Sequence, residues 1–223
     1  MGEIRMERNV RAAIVGSTGY GGVELIRLLA AHPKVEITAV LSSSSAGEPI
    51  AAGYPHLTEI RRDLLEEIDP AAVKRKADVV FFATPPGITA KLAPAFLAVG
   101  LDVIDISGDL RLKSPALYEQ WYKKTPVDQQ YLDEAVYGLA EVWGDEVRGA
   151  RLISNPGCYP TATLLGLIPA VKAGWIDPAT IIVDAKSGVS GAGRGVSLAN
   201  HYSEINENFK AYKIGRASCR ERV

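Results

Sequence analysis

One thiol and two glycine-rich segments are the groups in this sequence whose types and spacing could do chemistry. Cys158 lies in SNPGCYPT (residues 154–161), directly after Pro156 and Gly157 and at the mouth of an apolar helical run. Unpaired backbone N–H groups in the first turn of a helix, together with its dipole, favour negative charge, and the thiolate is the reactive form of cysteine. The plainer alternative is a small buried hydrophobe, the common fate of a free cysteine. Upstream, Gly16, Ser17, Thr18, Gly19, Tyr20, Gly21 and Gly22 stand between a strand-like run and a helical one. Missing side chains there let the backbone turn tightly and approach a pyrophosphate at the helix N-terminus. Downstream, SGVSGAGRG (residues 187–195) supplies N–H donors around Gly188, with Arg194 as a cation for an anion.

Taken together these groups describe one reaction. A dinucleotide held by the first glycine turn supplies a hydride, the cysteine supplies a covalent anchor for an acyl group, and the second glycine segment receives an anion. Thiolate attack on an acyl phosphate expels phosphate, hydride reduces the thioester, and collapse of the thiohemiacetal releases an aldehyde. An acidic residue at the end of the second strand binds the ribose hydroxyls in NAD-specific sites, whereas here that place holds Ser42, Ser43, Ser44 and Ser45. A serine can hydrogen-bond a 2′-phosphate that an aspartate would repel, so the cofactor expected is NADP. No metal site is expected.

The elements that must position these groups follow from the pattern. Residues 10–15 read as a strand, the glycines as a turn, and VELIRLLAAH as a helix stopped by Pro33; VEITAVL (residues 35–41) is the next strand and closes a βαβ unit. ADVVFFA, the TPPG turn, the helix ITAKLAPAFLAV, Gly100 and the strand LDVIDIS repeat the alternation. This predicts an α/β fold with a doubly wound parallel (Rossmann) sheet. Residues 109–149 are looser, ARLIS restores a strand, and the helix of Cys158 follows. ATIIVDAKSG reads as a further strand. Residues 1–157 are thus expected to form the dinucleotide domain and residues 158–214 the start of an incomplete α+β substrate domain.

The residues resemble a known family, N-acetyl-gamma-glutamyl-phosphate reductase of arginine biosynthesis. The motifs that carry the likeness are GSTGYGG (16–22), IDISGDLRL (104–112), YGLAE (137–141), NPGCYPTA (155–162) and DAKSGVSGAGR (184–194), over residues 10–214. The resemblance implies that Cys158 is the nucleophile and that residues 16–22 bind NADP. It also implies that Thr84 and Pro85 line the dinucleotide crevice, and that Ser107 and Gly108 approach the cofactor or the substrate, a small-molecule acyl phosphate. Asn155 and Arg111 are further candidates for the substrate side, with a turn residue before Pro156 and an Asp109–Arg111 ion pair as the plainer alternatives. A related reductase acting on an amino-adipyl phosphate in lysine biosynthesis shares the cysteine motif. A dinucleotide-binding module without catalysis is the reading from a different class.

That family places a histidine base just after YKIG, but here residues 212–215 are followed by RASCRERV, in which none of the eight residues is histidine. Residues 215–223 read as a non-native tail, with Cys219 part of it, and the chain as truncated. His32, His56 and His201 are the three histidines present, and none stands in the expected place. A net charge of −1 with scattered lysines and arginines excludes the basic stripe of a nucleic-acid binder. The charged start and the lack of a long apolar run point away from a membrane and towards the cytosol. A homo-oligomer is expected of the full-length protein.

Overall fold

A computed structural model describes residues 9–209, and its internal contacts divide the chain between Ser107 and Gly108. The first unit runs β1 (Val10–Val15), α1 (Tyr20–Ala30), β2 (Val35–Leu41), the short α2 (Ile50–Gly53), α3 (Pro70–Lys76), β3 (Val79–Phe82), α4 (Thr89–Ala98) and β4 (Asp102–Asp105). Its strands are all parallel, in the order β2-β1-β3-β4. Parallel strands are covered on both faces, which is why residues 12–15 of β1 are apolar without alternation: Ala12, Ala13 and Ile14 have no exposed surface.

Successive side chains of a strand point to opposite faces. Phe81 joins Ile14, Ile37 and Val40 in packing against Val23 and Ile26 of α1. Phe82 therefore points the other way, and its ring meets Phe96 of α4 edge-on at 5.3 Å. Helices cover both faces of this sheet, and the doubly wound expectation holds. Local signals set the helix ends: Asp69 caps α3 by accepting from the Ala71 N–H at 2.9 Å, with Pro70 in the first turn. Gly100, at φ +83°, closes α4 through its N–H to Leu97 O at 2.9 Å.

The second unit contains α5 (Pro115–Tyr122), α6 (Gln129–Glu134), β5 (Val136–Tyr137), α7 (Ala140–Arg148), β6 (Leu152–Ser154), α8 (Cys158–Lys172) and α9 (Tyr202–Ile205). Ser114 caps α5, and its Tyr118 and Tyr122 stack at 4.7 Å beside Leu112. The Tyr118 hydroxyl donates to Asp109 Oδ1 at 2.7 Å, which satisfies both buried groups. β5 and β6 pair in parallel, with Val136 opposite Ile153 and Tyr137 opposite Ser154.

The strand expected in ATIIVDAKSG does not form. Residues 181–188 belong to no strand or helix, and Ile182 is 92% exposed. A strand is stabilised by ladder hydrogen bonds and by a covered face, and the described residues provide this segment with neither. Between residues 158 and 209 no residue is buried.

Candidate active site

The glycine turn of the first unit is shaped by contacts that exclude side chains. Gly16 has φ +82°, and a Cβ there would lie 2.5 Å from Ala83 O. At Gly22 a Cβ would lie 2.3 Å from Gly16 O and 2.7 Å from Ser17 Cα, so the start of α1 rests directly on the turn. Gly19 is the N-cap of α1 and no side chain caps that end, while Gly21 faces open space. An open helix start with no side-chain cap, behind a turn whose glycines keep Cβ atoms out of its closest contacts, fits a pyrophosphate.

The neighbouring side chains divide into those that build the turn and those that face outward. Ser17 is buried and its Oγ donates to Leu41 O at 3.1 Å. Thr18 O accepts from the Tyr54 hydroxyl at 2.9 Å, a buttress that nothing in the sequence singled out. Tyr20 is 44% exposed. Ser42 is buried, its N–H donates to Glu66 O at 3.1 Å, and its Oγ accepts from the Ser44 N–H at 3.4 Å. Ser43 is exposed beside it, so of the two it is the hydroxyl open to a ribose. Thr84 Oγ1 lies 3.0 Å from Thr89 Oγ1, and its Cγ2 would lie 3.1 Å from a Cβ at Gly16, which sets the TPPG turn against the glycine turn. Pro85 is exposed. Ser107 is tied to Asp105 Oδ1 by its N–H at 2.9 Å and its hydroxyl at 2.6 Å.

In the second unit Cys158 is exposed and is the first residue of the 15-residue helix α8, so it is no buried hydrophobe. Gly157, at φ −74° and ψ 166°, is the N-cap, and its carbonyl accepts the Thr161 N–H at 3.0 Å and hydroxyl at 2.8 Å. The loop before the thiol is held from two sides. Arg111 Nε donates to Asn155 O at 2.8 Å. The Gly138 N–H donates to Ser154 O at 2.8 Å, where a Cβ on Gly138 would lie 2.8 Å from Ile153 Cγ2. Within YGLAE, a side chain at Gly138 would have to displace the Ile153 methyl.

Cys158, Tyr159 and Thr163 of α8 line a cleft of about 370 Å³ whose other wall includes Asp184, Lys186 and Ser187. Lys186 Nζ lies 2.5 Å from Asp184 Oδ2. Neither residue had been singled out, because membership of the cleft depends on how the chain returns past α8. Gly188 begins a short turn of 3-10 helix over Val189–Ala192, and Arg194 is exposed. His32 accepts from the Lys34 N–H through Nδ1 at 3.1 Å, His56 packs edge-on to Tyr54 at 5.8 Å, and His201 is the exposed N-cap of α9. Residues 212–223, with Cys219, lie outside the described residues. No group of three or more His, Cys, Asp or Glu that could hold a metal occurs among the described residues, and no helix there is long and apolar enough to cross a membrane.

The first unit is therefore a dinucleotide-binding parallel α/β structure, and the second carries an exposed thiol at a helix start. Residues 11–150 match the family described as semialdehyde dehydrogenase, NAD binding domain, and residues 158–217 match semialdehyde dehydrogenase, dimerisation domain. The chain belongs to the semialdehyde dehydrogenase family. It is 53% identical over 207 residues to the N-acetyl-gamma-glutamyl-phosphate reductase of Halalkalibacterium halodurans, covering 93% of this chain and 60% of that protein. The enzyme of the same name from Bacillus subtilis is 49% identical over 205 residues, 92% of this chain and 59% of that one. The chain thus spans about 60% of the length of these curated relatives. Its fold is similar to aspartate semialdehyde dehydrogenase II of Vibrio cholerae complexed with ASA, with a TM-score of 0.55, 21% identity and coverage of 74% of this chain and 47% of that one. Aspartate semialdehyde dehydrogenase with NADP from Candida albicans gives a TM-score of 0.53, with 21% identity and coverage of 75% and 48%.

Proposed function

We propose that this chain carries the cofactor site and nucleophile of an NADPH-dependent reductase. The reaction converts N-acetyl-gamma-glutamyl phosphate to N-acetyl-glutamate 5-semialdehyde through a thioester on Cys158. The observation that carries the proposal is the exposed thiol opening α8 behind a loop held at Asn155 and Ser154. The names of the relatives support the glutamyl substrate over its amino-adipyl counterpart.

Gly16, Gly19, Gly21 and Gly22 with Ser17, Thr18 and Tyr20 would hold the pyrophosphate, Thr84 and Pro85 would flank it, and Ser43 would take the adenosine ribose, with the buried Ser42 shaping the turn beneath it. A nicotinamide bound there would supply the hydride that takes the acyl group to an aldehyde. Cys158 Sγ forms a bond to the acyl carbon as the carbon–oxygen bond to phosphate breaks, and the electron pair leaves with phosphate. The first-turn N–H groups of α8 stabilise negative charge on sulfur before attack and again when the carbon–sulfur bond breaks. Arg111, whose Nε donates to Asn155 O, would place positive charge on the substrate side. Ser107, Asn155, Gly188 and Arg194 complete the substrate side. In the whole protein, residues 1–157 serve as cofactor domain, the substrate domain begins at residue 158, and the molecule works as a homo-oligomer.

NADPH oxidation with the acyl phosphate tests this. Replacing Cys158 with Ser is expected to abolish turnover with NADPH binding retained; turnover in the variant would overturn the proposal. A second reading, dinucleotide binding without catalysis, is favoured by the lack of any buried residue between 158 and 209. NADPH binding by the 223-residue chain with no turnover in either direction would support it. Replacing Ser43 with Asp is expected to weaken NADPH binding by about tenfold or more relative to NADH, because a carboxylate would face the 2′-phosphate. An unchanged ratio would remove Ser43 from the cofactor site.

A further inference from the structure

We propose that Lys186 is the cation that seats the anionic end of the acyl substrate beside Cys158, a role that rests on Cys158 being the nucleophile. Two segments wall the cleft at the thiol. One is the first turn and a half of α8, with Cys158, Tyr159, Ala162 and Thr163, and the other is the stretch from Val183 to Ser187. Apart from the thiol and the Tyr159 phenol, the ionisable groups on its walls are Lys186 and Asp184.

Asp184 neutralises Lys186 across 2.5 Å. The side chains are 56% and 81% exposed, however, and an ion pair so open to water contributes little to stability. Exchange of the Asp184 carboxylate for a substrate oxyanion is therefore nearly free of cost to the fold. The lysine ammonium suits the exchange, being a compact charge on a flexible stem that can follow an anion over several ångströms. Asp184 tunes the site: it lowers the net positive field at the thiol, so an anion must displace it to bind. The ligand class that follows is an acyl compound bearing an oxyanion either on the carbon that Cys158 attacks or further along its chain.

The test reads the charge preference of Cys158 modification, with adducts assigned by mass spectrometry so that Cys219 is counted separately. Iodoacetate and iodoacetamide differ in charge on the group next to the reacting carbon, and sulfonatoethyl and trimethylammonioethyl methanethiosulfonates differ in charge two carbons out from the reacting sulfur. Replacing Lys186 with Met is expected to lower the anion-to-uncharged or anion-to-cation rate ratio at Cys158 by about three- to tenfold, and replacing Asp184 with Asn to raise it comparably. A shift with iodoacetate assigns Lys186 to the phosphate on the reacting carbon. A shift confined to the thiosulfonates assigns it to a remote carboxylate. Ratios unchanged in both variants while Cys158 still reacts would overturn the role of Lys186 and leave the nucleophile standing. A Cys158 that reacts with none of these reagents would overturn the nucleophile and Lys186 with it.

Discussion

The two glycine-rich segments of this chain look alike in sequence and differ physically. In residues 16–22 the glycines are required by neighbours that are already in place: a side chain at Gly16 or Gly22 would collide with backbone at 2.5 or 2.3 Å. In residues 187–195 a Cβ at Gly188, Gly193 or Gly195 would meet nothing within 4 Å, and at Gly191 it would meet only the mobile end of Ser187 at 2.5 Å. The first segment is therefore a finished piece of packing, preorganised for its ligand. The second has freedom that the described residues do not use. The surroundings agree: β1 and α1 lie in a core of fully buried residues, whereas Val196 and Leu198 beside the second segment are 104% and 77% exposed.

The strongest way to break this contrast is to add a methyl group to the first segment. Replacing Gly16 with Ala combines left-handed strain with a backbone collision, and about 3 kcal/mol of lost stability is expected, with NADPH binding lost as well. Replacing Gly22 with Ala, which adds the collision alone, is expected to cost about 2 kcal/mol. Urea unfolding with and without NADPH measures both, and wild-type values for either variant would show the turn to be slack.

A smaller effect is expected in the second segment. Gly193 sits at φ +82° and ψ −175°, a conformation nearly reserved for glycine, yet it is exposed and unpacked. Replacing it with Ala is expected to leave the global unfolding midpoint within about 0.5 kcal/mol of wild type, because the strain can relax locally. A drop comparable to that at Gly22 would mean the segment is packed after all. A change of opposite sign sharpens the contrast within the first turn: Gly21 lies in α1 facing open space, and replacing it with Ala is expected to raise stability by up to about 1 kcal/mol through helix propensity. Loss of NADPH binding without loss of stability in that variant would place Gly21 against the cofactor.

What could be read from sequence follows the range of the interactions involved. The βαβ start, the helix stop at Gly100 and the position of Cys158 at a helix mouth depend on near neighbours, and each is found where the pattern put it. The strand expected in ATIIVDAKSG depends on a partner far along the chain, so its apolar run alone was no guarantee. Tyr54 reaches Thr18 across 36 positions and Arg111 reaches Asn155 across 44, distances over which composition and periodicity carry no signal. Lys186 stood within a motif that was legible, DAKSG, yet its place opposite Cys158 appears only once α8 and the returning segment are seen together.

The central claim is that Cys158 forms a covalent acyl intermediate. Intact and peptide mass spectrometry of the chain after exposure to N-acetyl-gamma-glutamyl phosphate without cofactor tests it most directly. One N-acetyl-glutamyl group on Cys158, labile to hydroxylamine and absent when Cys158 is replaced with Ser, is the expected result. An unmodified Cys158, or the same adduct in the serine variant at another residue, would contradict it.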